Sequence, residues 1–305
     1  MVNVERNSPF YIRLKELISQ AVKLDVKKKI AKLYNKVYRL LCGSGLSKYQ
    51  NVRKIHAFLT QKVKSEFVDF YGLKLYLGKM DEENYSGGIS YEDDYFDLLE
   101  TEIKLGENVI DIGAKIGIYS LAFSKYVGLT GTVFSFEPTP DSFNILKKNK
   151  SANNLENVII EQKAITDKKG TEILEIGEFS GNNRINNNCE NGINVDCISL
   201  DDYFSDSNKI ISFVKIDVEG LEPKVLSGMK KVLEKNSKIK ILLEYNPKLM
   251  KFFGYIPEKI LEDLTNQGFS LIDLEYDYNK KQNVQHFVKL YNNTNKVTNI
   301  LAKRE

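Results

Sequence analysis

Tryptophan is absent from the 305 residues, and histidine and cysteine are scarce. The two histidines are His56 and His286. The three cysteines, Cys42, Cys189 and Cys197, form no CxxC pair and no metal-ligand spacing. Such a poor supply of thiol and imidazole ligands argues against a structural zinc site, and no metal is expected. The same cysteine pattern argues against a disulfide framework and fits a reducing compartment. Charge of one sign is missing as well: the formal net charge is only +3, which does not announce a nucleic-acid partner. Long apolar runs are lacking too. The most apolar stretch, Ile116 to Ser124, lies between Lys115 and Lys125 and is far shorter than the ~20 residues of a membrane helix. Charge interrupts the N-terminus from Glu5 onward, so a signal peptide is not expected. These absences point to a soluble, cytoplasmic chain, with peripheral membrane association left open.

What is present is patterned. Residues 10 to 66 carry apolar positions at helix spacing, first Leu14, Leu17, Ile18 and Ala21, then Ile30, Leu33, Tyr34, Val37 and Leu41. Their polar face is basic, with Lys27, Lys28, Lys29, Lys32 and Lys36 among others. This helical extension, residues 1–66, is read either as a surface for an anionic membrane or carrier, or as a solvated face with a domain or oligomer contact. A homo-oligomer is left open. Residues 67–305 are read as one α/β domain with its core at about 90–291. It opens with a hairpin around Gly72 and a helix over Tyr91 to Lys104. Strict strand–helix alternation follows. Strands are expected at 109–112, 132–136, 158–165, 210–216 and 239–244 with a helix at 223–233, an inserted pair at 171–176 and 193–198, and a closing pair at 269–274 and 285–290. The pattern implies a mainly parallel, doubly wound sheet with an antiparallel edge hairpin.

The chemistry sits at strand ends. The first strand runs into Asp111-Ile112-Gly113-Ala114-Lys115-Ile116-Gly117, a turn whose glycines let backbone pass close to a ligand. Neither GxGxxG nor GxxxxGK[ST] occurs, so a dinucleotide fingerprint and a P-loop are excluded. The second strand ends Phe136-Glu137-Pro138, which places an acid where ribose hydroxyls are held. Two carboxylates, Asp111 and Glu137, suit a cationic nucleoside such as S-adenosylmethionine and repel a pyrophosphate. A fourth strand ends Lys215-Ile216-Asp217-Val218-Glu219-Gly220 at the same sheet edge.

In that order, with Leu242-Leu243-Glu244 after them, these segments resemble the FkbM family of S-adenosylmethionine-dependent methyltransferases over about residues 90 to 275. The Lys-Ile-Asp-Val-Glu-Gly run is the most specific element. The resemblance implies a Rossmann-like class I methyltransferase fold and, usually, O-methylation of a hydroxyl on a sugar, glycan or secondary metabolite. The family often carries an apolar residue, His and Pro after the Glu of the fifth strand. Here the run is Glu244-Tyr245-Asn246-Pro247, and Asn246 cannot serve as a base.

The cofactor residues expected are therefore Asp111, Gly113, Ala114, Gly117, Glu137, Pro138, Ala164 and Asp217. Adenine is expected near Gln162, Lys163 and Ala164. Asp217 and Glu219 are the favoured general bases, ahead of Glu244 and His286. The polar loop Ser180-Gly181-Asn182-Asn183 is read as an acceptor contact or a solvated loop. A nicotinamide oxidoreductase is disfavoured by the missing third glycine and by Asp111. A non-catalytic binding protein on this fold, and a nucleic-acid methyltransferase, remain as alternatives; the latter lacks the Asn/Asp-Pro-Pro-aromatic tetrapeptide common in amino-group methylators.

Overall fold

The computed structural model describes residues 66–77, 93–177 and 183–304. The chain divides into two units, Met1–Asp93 and Asp94–Glu305. In the first, strands β1 (Phe67–Phe70) and β2 (Leu73–Tyr76) form the expected antiparallel hairpin. It turns at Tyr71 and Gly72, both at positive φ, and the Gly72 N–H donates to Asp69 Oδ1. The expected basic helices fall outside the described residues except for Glu66, and so do Ser180, Gly181 and Asn182.

The second unit is the α/β domain. Helix α1 (Asp93–Glu102) leads into β3 (Asn108–Ile112), α2 (Ile118–Val127), β4 (Thr132–Phe136), α3 (Pro140–Ala152) and β5 (Val158–Glu161). A second set follows: β6 (Ala164–Ile165), β7 (Gly170–Glu175), β8 (Arg184–Ile185), β9 (Ile193–Ile198) and the short α4 (Leu200–Tyr203). The chain then returns through β10 (Ile211–Ile216), α5 (Glu222–Ser227), α6 (Lys230–Lys235), β11 (Lys240–Tyr245), α7 (Pro247–Phe252) and α8 (Pro257–Asn266). It ends with β12 (Phe269–Asp273), β13 (Lys281–Gln282), α9 (Val284–Tyr291) and β14 (Thr298–Arg304).

The main sheet has the order β13-β12-β14-β11-β10-β3-β4-β5. Pairs from β11 to β5 are parallel, and those among β11, β14, β12 and β13 are antiparallel. Strand order reverses between β3 and β10, which opens a crevice beyond their carboxyl ends. Alternate residues face opposite sides. Ile110, Ile112, Phe134, Phe136, Val214 and Ile216 enter one hydrophobic core. The other parity brings Lys215, Asp111 and Ser135 into one cross-strand row.

Four expectations are corrected. The single strand at 158–165 is broken after Glu161: β6 leaves the main sheet and pairs with β9 in a second, four-stranded sheet of order β6-β9-β7-β8. The helix at 223–233 is two helices, interrupted at Gly228, where a Cβ would lie 2.1 Å from the Thr166 carbonyl oxygen. Residues 285–290 are helix, not strand. Asn283 caps α9 by accepting the His286 N–H, and Phe287 and Tyr291, four apart, bury one helical face. The closing strand is instead β14, which lies beyond residue 291 and inserts between β11 and β12. Its Ile300, Leu301 and Ala302 are fully buried.

Candidate functional site

The Gly113 loop is shaped by protein contacts before any ligand is considered. Gly113 has φ 75, and a Cβ there would lie 1.9 Å from the Asp217 carbonyl oxygen. The close approach expected between this backbone and a ligand is thus first an approach to the loop leaving β10. The N–H groups of Gly113 and Ala114 both donate to Phe136 O, and that of Asp217 to Ile112 O. Gly117, at φ 95, closes the turn, and its added Cβ would meet Leu146 Cδ1 at 2.5 Å.

Glu137 braces the same loop from β4. Its Oε2 accepts the Lys115 N–H at 2.8 Å and its Oε1 the Thr139 N–H at 2.8 Å. Burial raises its pKa, against those hydrogen bonds. Beneath the loop, Asp111 is fully buried. Ser120 Oγ donates to its Oδ2 at 2.6 Å, and its Oδ1, which has no hydrogen-bond partner among the described residues, lies 3.9 Å from Lys215 Nζ. Burial raises the Asp111 pKa as well. Lys215 in turn lies 3.2 Å from Asp217 Oδ2 and sits over the Tyr119 ring.

The two acids after β10 have opposite electrostatics. Burial alone would raise the Asp217 pKa, but the ammoniums of Lys115 and Lys215 outweigh it and hold the group down at about 2. Asp217 is therefore a fixed anion. Lys215 lowers the Glu219 pKa only weakly; the ion-pair partner of Glu219 is Lys115, whose Nζ is 3.4 Å from its Oε1. Burial, with the Asp217 charge adding to it, pushes Glu219 up to about 7 despite that ammonium. Two more acids stand nearby. Glu222 is fully buried and accepts the N–H groups of Val218 and Gly220; burial pushes it up to about 8. Burial raises Glu244 well above the ordinary carboxylate range, and Asp217, Glu219 and Glu222 add to the shift.

One cleft collects most of the expected residues: Gly113, Glu137, Pro138, Ala164, Asp217 and Glu219 line it, and so does Lys163. Asp111, Ala114 and Gly117 do not line it; all three are buried. His286 is elsewhere. Its Nε2 is 2.7 Å from Asp273 Oδ2, and that carboxylate also accepts from Tyr291, Thr298 and the Glu275 N–H. This is a four-partner staple joining β12, α9 and β14. Sequence reasoning missed Lys115 and Arg184, which also line the cleft. A signal existed for the latter, since Arg184 is the only arginine between Arg53 and Arg304 in a lysine-rich chain. None existed for Lys115, whose role depends on where Glu219 folds.

Residues 111–271, just over half of the chain, match the methyltransferase FkbM domain. The chain belongs to the FkbM methyltransferase family. That family is S-adenosylmethionine-dependent, and S-adenosylmethionine is the cofactor. A curated relative, hexuronic acid methyltransferase AglP of Haloferax volcanii, is 30% identical over 145 residues, which cover 47% of this chain and 58% of the relative. The match thus spans less than two thirds of that relative's length. Among solved structures, methyltransferase FkbM from Methylobacillus flagellatus KT is 12% identical with a TM-score of 0.41, covering 82% of this chain and 59% of that one. An S-adenosylmethionine-dependent O-methyltransferase from Thermotoga maritima is 15% identical with a TM-score of 0.40, covering 71% and 66%. Among the described residues, no helix is long and apolar enough to cross a membrane.

Proposed function

We propose that this FkbM-family chain is an O-methyltransferase that transfers the methyl group of S-adenosylmethionine to a hydroxyl of a sugar or glycan. The carrying observation is Glu219: a carboxylate 14% exposed, lining the cleft, paired to Lys115 and poised near neutrality. The cleft suits the cofactor. Among the described residues Asp217 Oδ1 is a buried acceptor with no hydrogen-bond partner, and an ammonium donor would satisfy it. Glu137 would hold the ribose from the end of β4, and Ala164 and Pro138 would line the adenine side. Asp111, Ala114 and Gly117 would act by shaping the loop.

When bound, the cofactor supplies an electrophilic sulfonium methyl. The chain has to align the acceptor and remove its proton. Glu219 would take that proton as the hydroxyl oxygen bonds to carbon, leaving a methyl ether and S-adenosylhomocysteine. Asp217, held as an anion, would complement positive charge rather than accept the proton. The sugar class is supported by the relative described as a hexuronic acid methyltransferase. The test is incubation with radiolabelled S-adenosylmethionine and a panel of glycosides. Label recovered as an alkali-stable methyl ether supports the reading. Label in none of the glycosides, in protein known to bind the cofactor, rules out the sugar class.

A further inference from the structure

Arg184 lies on β8, in the second sheet, yet lines the same cleft as Asp217 and Glu219. Its side chain is held at two points. Glu175, its cross-strand partner on β7, accepts from Nε at 3.0 Å, and the guanidinium carbon stands 4.9 Å from the centre of the Phe252 ring. Asn186 also donates to the same Glu175 oxygen, so that oxygen is itself fixed. These contacts occupy Nε and set the cation beside two rings, the Phe253 centroid lying 6.0 Å from the guanidinium carbon. The terminal Nη groups have no protein partner among the described residues. Phe252, at the end of α7, is 61% exposed, while Phe253 beside it packs on the apolar cluster of the second sheet. The arrangement pre-orients a planar two-pronged donor at the cleft and leaves the prongs free. Asn183 next to it spends its Oδ1 on the Gly177 N–H, and its amide donors stay available.

Resting on the sugar-acceptor reading, we infer that Arg184 is the acceptor's anchor, and that the acceptor carries a carboxylate which this guanidinium binds. A guanidinium pinned at Nε presents two parallel N–H groups at the spacing of carboxylate oxygens. The carboxylate is held at the second sheet while a hydroxyl of the same sugar is the group methylated. Arg184 would be a poor partner for a carboxylate that is itself the nucleophile, because it neutralises the charge that attacks.

The test uses the full chain saturated with S-adenosylhomocysteine and three probes: methyl α-D-glucuronide, the neutral methyl α-D-glucoside, and glucose 6-phosphate. Calorimetry should show the glucuronide binding at least about tenfold more tightly than the glucoside. Arg184→Ala should weaken the glucuronide about ten- to a hundredfold, and Arg184→Lys should restore only part of it. Affinity for S-adenosylhomocysteine should not move in either variant, which shows that both fold. Equal binding of the two glycosides, or glucuronide binding indifferent to Arg184→Ala, overturns the anchor and leaves the sugar reading standing. A preference for the phosphate over the glucuronide overturns the carboxylate. Failure of all three probes to bind overturns both readings. An alkali-labile methyl ester as the product overturns the anchor, since the carboxylate would then be the methylated group.

Discussion

Lys115 and Glu219 both hold left-handed backbone, at φ 50 and 57, and their side chains meet across the cleft with Nζ 3.4 Å from Oε1. Neither is a glycine, so each conformation costs on the order of 1–3 kcal/mol and persists because the surrounding loops impose it. The two residues leave adjacent strands, β3 and β10, at the point where strand order reverses. Their ion pair links the turn that shapes the cleft to the acid proposed as base.

Turnover at saturating substrates should therefore rise with pH through about 7 and level off, as Glu219 loses its proton. Glu219→Gln should lower the plateau by about 10²- to 10⁴-fold and abolish the rise. Lys115→Gln should shift the midpoint upward, because that ammonium lowers the Glu219 pKa. Asp217→Asn should shift it downward through loss of a like charge. A rate–pH profile on an identified acceptor checks all three; full turnover by Glu219→Gln at every pH would remove the base.

Gly113→Ala should act on folding and binding together. The new methyl would collide with the Asp217 carbonyl, and φ 75 is strained for alanine. The expected result is a fall in Tm without ligand, alongside weaker S-adenosylhomocysteine binding, in thermal melts of the two states. An unchanged melting point without ligand would contradict the loop-to-loop contact.

Glu137→Ala should weaken S-adenosylmethionine and S-adenosylhomocysteine to the same degree, since both carry the ribose. The expected loss is roughly 1.5–3 kcal/mol per hydrogen bond to the carboxylate. The variant also frees the N–H groups of Lys115 and Thr139, so some loss of stability should accompany it. Calorimetry with both ligands checks the ratio, and selective loss of one ligand would contradict a ribose role.

Stability without ligand should fall as pH rises from about 5 to about 8. Glu219 and Glu222 have folded-state pKa values of about 7 and about 8, above the ordinary 4.5. The folded state therefore binds more protons than the unfolded state in that window, and raising the pH favours unfolding. Asp217 works in the opposite sense: its stabilisation is lost only as pH falls from about 4 toward about 2. Glu222→Gln keeps an acceptor for the Val218 and Gly220 N–H groups and removes the titration. It should raise Tm at pH 8.5, by on the order of 5 °C, and flatten the slope. Melting curves from pH 5 to 8.5 decide it.

Much of this molecule is legible as pattern. Alternation of apolar strands and amphipathic helices specified the parallel half of the sheet. Glycine, acid and strand end occurring together marked Gly113, Glu137, Asp217 and Glu219 as neighbours, because parallel strands in one sheet deliver their carboxyl ends to one edge. The closing elements were not legible in the same way. Residues 285–290, with Phe287, Val288 and Leu290, read equally well as a short buried strand, and only the Asn283 cap and the i, i+4 burial of Phe287 and Tyr291 make this segment a helix.

The electrostatic split between the acids belongs to tertiary structure alone. Asp217 and Glu219 are two residues apart and look equivalent along the chain. They differ because strand register sets Lys215 beside Asp111 and within 3.2 Å of Asp217, so that Lys215 and Lys115 both pair with Asp217, while Glu219 pairs with Lys115 and feels Lys215 only weakly. Pair energies of this kind vary with distance and burial, and neither quantity is local in sequence. Arg184 follows the same logic. Its chemistry is written in its identity, but its place at the cleft exists only because β8 folds through the second sheet to meet Phe252 at the end of α7.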